Sequence, residues 1–231
     1  MGSTEPFAMR FYEYISQRKA EMLYSQLHRE GEKKLSGEIK GGIPGIVEVK
    51  GGFNQVIREP SLTDKVAAIE EKILAAELAG PLEDDSKPWV LETMDFYWGP
   101  SSSTSDSSPG TVVWFGGVRN NRVLMLGGSA KHLIGRKGDN EQPTSDLPTL
   151  LNALAAPRAM TLEGVSDSLT VDRRELLYSF SNAVSFSTGH WGGVQERFTV
   201  LANRLKSASH VEFEDSAWHV TIATPLFVYR A

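Results

Sequence analysis

The stretch Thr111 to Gly135, TVVWFGGVRNNRVLMLGGSAKHLIG, carries most of what this chain says about its fold. Two apolar runs flank Asn120-Asn121, residues that suit a tight turn, so a β-hairpin is expected here. The second run opens into Gly127-Gly128-Ser129-Ala130-Lys131-His132. On a hairpin, that segment would bring a hydroxyl, an ammonium and an imidazole to one edge of a sheet. Glycines let backbone N–H groups approach an anion, and Lys131 could pair with it. The spacing departs from G-x-x-x-x-G-K-[ST] and from G-x-G-x-x-G, and no convincing helix starts there. The competing reading is structural: a bulge or strand exit that needs glycine for its backbone.

Outward toward the N-terminus, Ser101 to Gly110 (SSSTSDSSPG) reads as a low-complexity surface loop, because it lacks apolar surface to offset the entropy of ordering. Trp89 to Tyr97 reads as a strand. Ahead of it, Ser61 with Asp64 resembles a capping box, and Leu62, Val66, Ile69, Ile73 and Leu74 recur at helical spacing up to a stop at Gly80-Pro81. Leu35 to Lys50 is glycine-rich and is expected to hold one or two irregular strands. Ser16 can cap a helix bearing Ala20, Leu23, Tyr24 and Leu27, preceded by a short aromatic strand, Phe11 to Ile15. Residues 1–8 read as a flexible leader.

Toward the C-terminus, Asp146 is expected to cap a short helix, Leu147 to Ala155. Glu175 to Ser187 (ELLYSFSNAVSFS) reads as a strand or strand pair. Val194 to Lys206 reads as an amphipathic helix with Phe198, Leu201 and Leu205 facing inward. Trp218 to Tyr229 reads as a closing strand, with Trp218, Val220 and Ile222 on one face and His219, Thr221 and Ala223 on the other. These elements predict an α+β fold: residues 9–231 as a single domain, with a mixed or antiparallel sheet and three to five helices.

A second glycine-rich segment, Ser187-Thr188-Gly189-His190-Trp191-Gly192-Gly193, precedes the expected Val194 helix. Next to a helix N-terminus, His190 and Trp191 could meet an anionic or ring-bearing ligand; otherwise the glycines turn the chain and Trp191 covers the core. The histidines show no H-x-H or H-E-x-x-H spacing, so no metal site is expected. There is no G-x-S-x-G elbow for a serine hydrolase. Glu92 and Asp95 could form an acid/base pair, but a spacing of three sets them on opposite faces of a strand.

Composition bounds the remaining possibilities. The chain has 231 residues, a formal charge of −5 and no cysteine. Its acidic balance argues against a nucleic-acid partner, and no apolar run is long enough to span a bilayer. Disulfides, thiolate metal sites and a cysteine nucleophile are excluded, which fits a cytoplasmic location.

Several segments together resemble a family of uncharacterised bacterial proteins common in actinomycetes. They are Met9 to Ser16 with Lys19 and Met22-Leu23-Tyr24, then Tyr97-Trp98-Gly99, Phe115-Gly116-Gly117, Leu126 to Gly135, and the closing Thr224 to Val228. The resemblance spans nearly the whole chain from Met9. It brings no activity, cofactor or catalytic residue with it.

The leading expectation is a soluble ligand-sensing or interaction module, taking a small anionic ligand or a protein partner at Gly127, Gly128, Ser129, Lys131, His132, His190 and Trp191. The alternative is a small hydrolase or lyase with His132 or His190 as general base, helped by Lys131. A joint role for the two histidines requires them to lie within about 12 Å of each other. A pure scaffold would instead show no pocket at these segments.

Overall fold

In a computed structural model of the chain, the described residues are 10–38, 59–102, 111–135, 150, 154, 171–190 and 194–231. Their elements, in order, are β1 (Tyr12–Ile15), α1 (Gln17–Glu38), α2 (Leu62–Ala75), β2 (Ala79–Gly80), β3 (Trp89–Ser102), β4 (Thr111–Arg119) and β5 (Arg122–Ser129). A short 3₁₀ turn (Ala130–His132), α3 (Val171–Ser187), β6 (Val194–Phe213) and β7 (Ser216–Arg230) follow. The class is α+β, dominated by one seven-stranded, mostly antiparallel sheet.

The hairpin forms as expected. Val118 pairs with Val123 and Arg119 with Arg122. Asn120 and Asn121 both take positive φ, 48° and 56°, the requirement of a two-residue turn that matches strand twist. β3, β4 and β5 form a meander, and β6 returns to lie antiparallel beside β3, which is Greek-key connectivity. β7 then fills the remaining place, antiparallel to β6 and parallel to β5. The pairing thus runs from β3 through β4, β5, β7 and β6 back to β3, closing a five-stranded barrel.

Alternation along each strand builds the core. Val90, Met94, Phe96, Val113, Phe115, Leu124, Leu126, Phe198, Val200 and Ala202 fill one cluster inside the barrel. The opposite faces are apolar too, because helices cover them. Trp114, Val123, Met125, Val220 and Ile222 meet Phe180, Ala183 and Val184 of α3. Leu201, Leu226 and Phe227 meet Ala20 of α1 and Val66, Ile69 and Ile73 of α2. The capping box of α2 is present, with Asp64 N–H donating to Ser61 Oγ at 3.2 Å and Ser61 N–H donating to Asp64 Oδ2 at 2.9 Å.

Two expected elements exchange identity. Glu175 to Ser187 lies within the helix α3, not a strand. Its aromatic and serine alternation imitates a strand, but Phe180, Ala183, Val184 and Ser187 recur at helical spacing and are buried. Val194 to Lys206 lies within the strand β6, not a helix. Phe198 enters the barrel, Leu201 packs beneath α1 and α2, and Leu205 packs on the α3 side, so the apparent helical stripe is split among three environments. A strand buried on both faces loses the alternation that would reveal it.

Three boundaries also move. α1 continues through the charged run to Glu38, overriding the strand expected from Leu35. α2 stops at Ala75, followed by Glu77 at φ 52°, while Gly80 belongs to β2 rather than ending the helix. Ser101 and Ser102 complete β3. The leader at 1–8, the rest of the Leu35–Lys50 segment, 103–110 and most of 147–155 lie outside the described residues. Within the last of these, Leu150 and Leu154 are helical and buried.

Candidate functional site

β1 lies at the centre of a polar arrangement built from segments far apart in the sequence. On one edge it pairs with β7, Tyr14 opposite Val228 and Ile15 opposite Phe227. On the other edge, Tyr14 bridges to Leu133, and Ile134 N–H donates to Glu13 C=O at 2.9 Å. The chain leaving β5 is therefore fastened to the N-terminal strand. α1 starts directly after Ser16, whose N–H donates to Leu226 C=O at 2.9 Å. Two segments more than a hundred residues apart thus share one corner.

Tyr14 is fully buried, its ring edge-on to Phe115 at 6.2 Å and to His132 at 5.8 Å. Burial pushes its phenol pKa upward, opposed by the neighbouring Ser16 hydroxyl, and no partner of ordinary hydrogen-bond geometry meets its Oη among the described residues. Lys19 reaches from α1 to the bend of β7, where Nζ donates to Thr224 Oγ1 and, at 3.0 Å, to Pro225 C=O. Both acceptors are neutral. Burial brings its pKa down to about 7. His132 is pushed down to about 4, first by burial and then by the charges of Lys131 and Lys19. At neutral pH the corner therefore holds an uncharged imidazole beside Lys131 and a partly charged Lys19. Ser129, with 1% exposure, lies just ahead of the 3₁₀ turn.

The glycines of this segment have a packing role. Gly127 and Gly128 are residues of β5, not of a loop. A Cβ on Gly128 would come within 2.8 Å of Tyr14 Cζ and still closer to its hydroxyl. One on Gly127 would meet Leu150 Cδ2 at 2.5 Å and the Trp114 ring. Aromatic rings therefore lie close against both residues, and glycine is what admits them.

His190 sits elsewhere. α3 ends with His190 N–H donating to Ser185 C=O and Gly189 N–H donating to Phe186 C=O, both at 3.0 Å, with Gly189 at φ 86°. That is a helix C-terminal cap, so this segment follows a helix and precedes a strand rather than opening a helix. The imidazole engages Thr188 Oγ1 through Nδ1 at 2.8 Å and Glu214 Oε1 through Nε2 at 3.1 Å, and lies edge-on to Phe213. None of these neighbours belongs to the Tyr14–His132 corner. Trp191 lies outside the described residues.

Glu92 and Asp95 do fall on opposite faces, Glu92 buried against Arg119 at 2.8 Å and Asp95 exposed. Among the described residues, no group of three side chains suited to a metal ion gathers. No helix among them is long and apolar enough to cross a membrane.

A family of unknown function, DUF7019, matches residues 10–231. The chain belongs to the DUF7019 family. No curated protein and no solved structure matches it. In this DUF7019 chain the structure brings Tyr14, Lys19 and Thr224, none of them among the expected site residues, to the same corner as the expected Lys131 and His132. A usable signal existed for Lys19, which lies among Ser16, Ala20 and Leu23 on the inward face of α1.

Proposed function

We propose that this DUF7019 chain is a small-molecule-binding module. In this reading its ligand carries an acidic group and binds at the corner formed by Tyr14, Lys19, Ser129, Lys131 and His132. The observation that carries the reading is Lys19. A lysine whose ammonium is withdrawn from water normally faces a carboxylate, because an uncompensated buried charge is costly. Among the described residues no carboxylate pairs with Lys19, and its acceptors are a hydroxyl and a peptide carbonyl. Lys131 adds charge close enough to depress His132. An anion in this corner restores the missing counter-charge, with the phenol and the neutral imidazole as hydrogen-bond partners.

Such binding is linked to protonation. An anion favours charged Lys19, so binding takes up a proton, and affinity falls as pH rises above about 7. A thermal-shift screen of carboxylates and phosphorylated metabolites tests the reading. A ligand whose stabilisation is lost in both Lys19→Met and Lys131→Ala supports it. Absence of any shift, or shifts unchanged in both variants, contradicts it.

A second reading, a hydrolase or lyase, moves its general base from histidine to Lys19. A base works best with a pKa near the working pH, which Lys19 meets at about 7 and His132 at about 4 does not.

A further inference from the structure

Lys19 offers more than a charge. Among the described residues its Nζ has two hydrogen-bond partners, Thr224 Oγ1 and Pro225 C=O. An ammonium carries three N–H donors, a neutral amine two. The pair of acceptors therefore matches the neutral amine and takes up both of its hydrogens. The nitrogen lone pair is then directed away from both acceptors. These anchors are held in place. Thr224 is 3% exposed, Pro225 has a fixed φ, and Ser16 N–H donates to Leu226 C=O, which ties the start of α1 to the same bend of β7.

The surroundings suit a nucleophile. Lys19, Lys131 and His132 each keep partial exposure, so a small molecule reaches them from solvent, while Tyr14, Ser129 and Thr224 are buried. Burial alone lowers the Lys19 pKa, with no carboxylate contributing to hold the proton. A lysine desolvated in this way is the kind that adds to carbonyl carbon. His132 feels the charge of Lys19 and is itself neutral at pH 7, so it can take up one proton and return another.

We propose that Lys19 forms an imine with a small 2-oxo acid. The inference rests on the reading that this corner takes an acidic ligand, and it adds the carbonyl group that the amine selects. The Nζ lone pair attacks the carbonyl carbon, and the carbonyl oxygen takes up a proton to give a carbinolamine. The C–O bond then breaks as the second N–C bond forms, and the oxygen leaves as water with the two amine hydrogens. His132 carries the proton between nitrogen and oxygen. No oxidant or reductant is consumed. Once protonated from solvent, the imine keeps the positive charge that the ligand's carboxylate balances.

Incubating the full chain at pH 7 with pyruvate and sodium cyanoborohydride converts an imine to a stable secondary amine, which intact mass counts and peptide mapping places. The expected result is one adduct per chain, on the peptide carrying Lys19. It should form at least about tenfold faster than on any other lysine, because an ordinary lysine is neutral to less than about one part in a thousand at that pH. No adduct, or adducts spread over exposed lysines such as Lys87 and Lys206 without preference for Lys19, overturns the proposal. Acetone has the carbonyl without the acid and should be trapped at Lys19 more slowly; an equal rate overturns the oxo-acid assignment. Thermal shift with propionate, the acid without the carbonyl, separates the two failures. If nothing is trapped, stabilisation by propionate that is lost in Lys19→Met leaves the acid site standing without its imine, and no stabilisation removes both.

Discussion

Gly127-Gly128 and Gly189 look alike in sequence, each beside a histidine and a hydroxyl residue, yet they answer different physical demands. Gly128 lies in a strand, where Tyr14 occupies the space a Cβ would take. Gly189 ends a helix at φ 86°, a backbone conformation that L side chains resist. The histidines divide in the same way. His132 is held neutral by burial beside two lysines, whereas His190 is half-exposed and engages Glu214. A glycine-rich segment next to polar residues is therefore not a site by composition. What distinguishes the first region is the lysine that a distant helix brings to it.

The largest effect that could break this comparison is at Gly128. Gly128→Val should cost more than the roughly 1–3 kcal/mol usual for overpacking, because a tyrosine ring must move. Gly128→Ala should be milder and partly rescued by Tyr14→Phe, which removes the atom nearest the new methyl. Urea unfolding of the single and double variants measures this coupling, and purely additive losses would detach Gly128 from Tyr14.

Next is the pH dependence set by Lys19. Its pKa is lowered on folding from 10.5 to about 7, so between those values the unfolded chain holds a proton the folded chain has released. Stability should therefore rise from pH 7 toward pH 10, by at most about 1.4 kcal/mol per pH unit. Lys19→Met should flatten that rise and stabilise the protein at pH 7, as read from denaturant midpoints across the range.

At Gly189 the expected loss is smaller. Gly189→Ala should cost about 1–2 kcal/mol for the left-handed backbone, with further strain from the Tyr97 ring 2.7 Å from the new Cβ. Unlike Gly128→Ala, this loss should be untouched by Tyr14→Phe, which thermal unfolding of the pair of variants checks.

A last effect, reduced by the partial exposure of the imidazole, concerns His132. Its pKa falls from 6.5 to about 4 on folding, so acidification through that window protonates the unfolded chain first and lowers stability. His132→Gln should remove that part of the acid sensitivity, measured as the change in Tm between pH 6.5 and pH 4.5.

Elements governed by local rules were legible in the sequence. The Asn120-Asn121 turn and the Ser61–Asp64 cap each depend on residues within a few positions of one another. α3 and β6 were not legible, because a helix lying on a barrel and a strand buried on both faces show mixed periodicities that only their neighbours resolve. The candidate corner was half legible. Ser129, Lys131 and His132 lie in one stretch, but Tyr14 and Lys19 reach them only through the pairing of β1 with β7 and the bridge from Tyr14 to Leu133. The pattern within Met9–Met22 marks Lys19 as inward-facing but does not say what it meets.

In that corner Lys19 is poised between its charged and neutral forms, with no carboxylate among the described residues to balance it. An NMR titration of the Lys19 side-chain carbons in the ligand-free protein, assigned by comparison with Lys19→Met, tests it most directly. The expected midpoint is about 7. A midpoint at the ordinary lysine value of about 10.4 would contradict it, leaving Lys19 as a plain tether between α1 and β7.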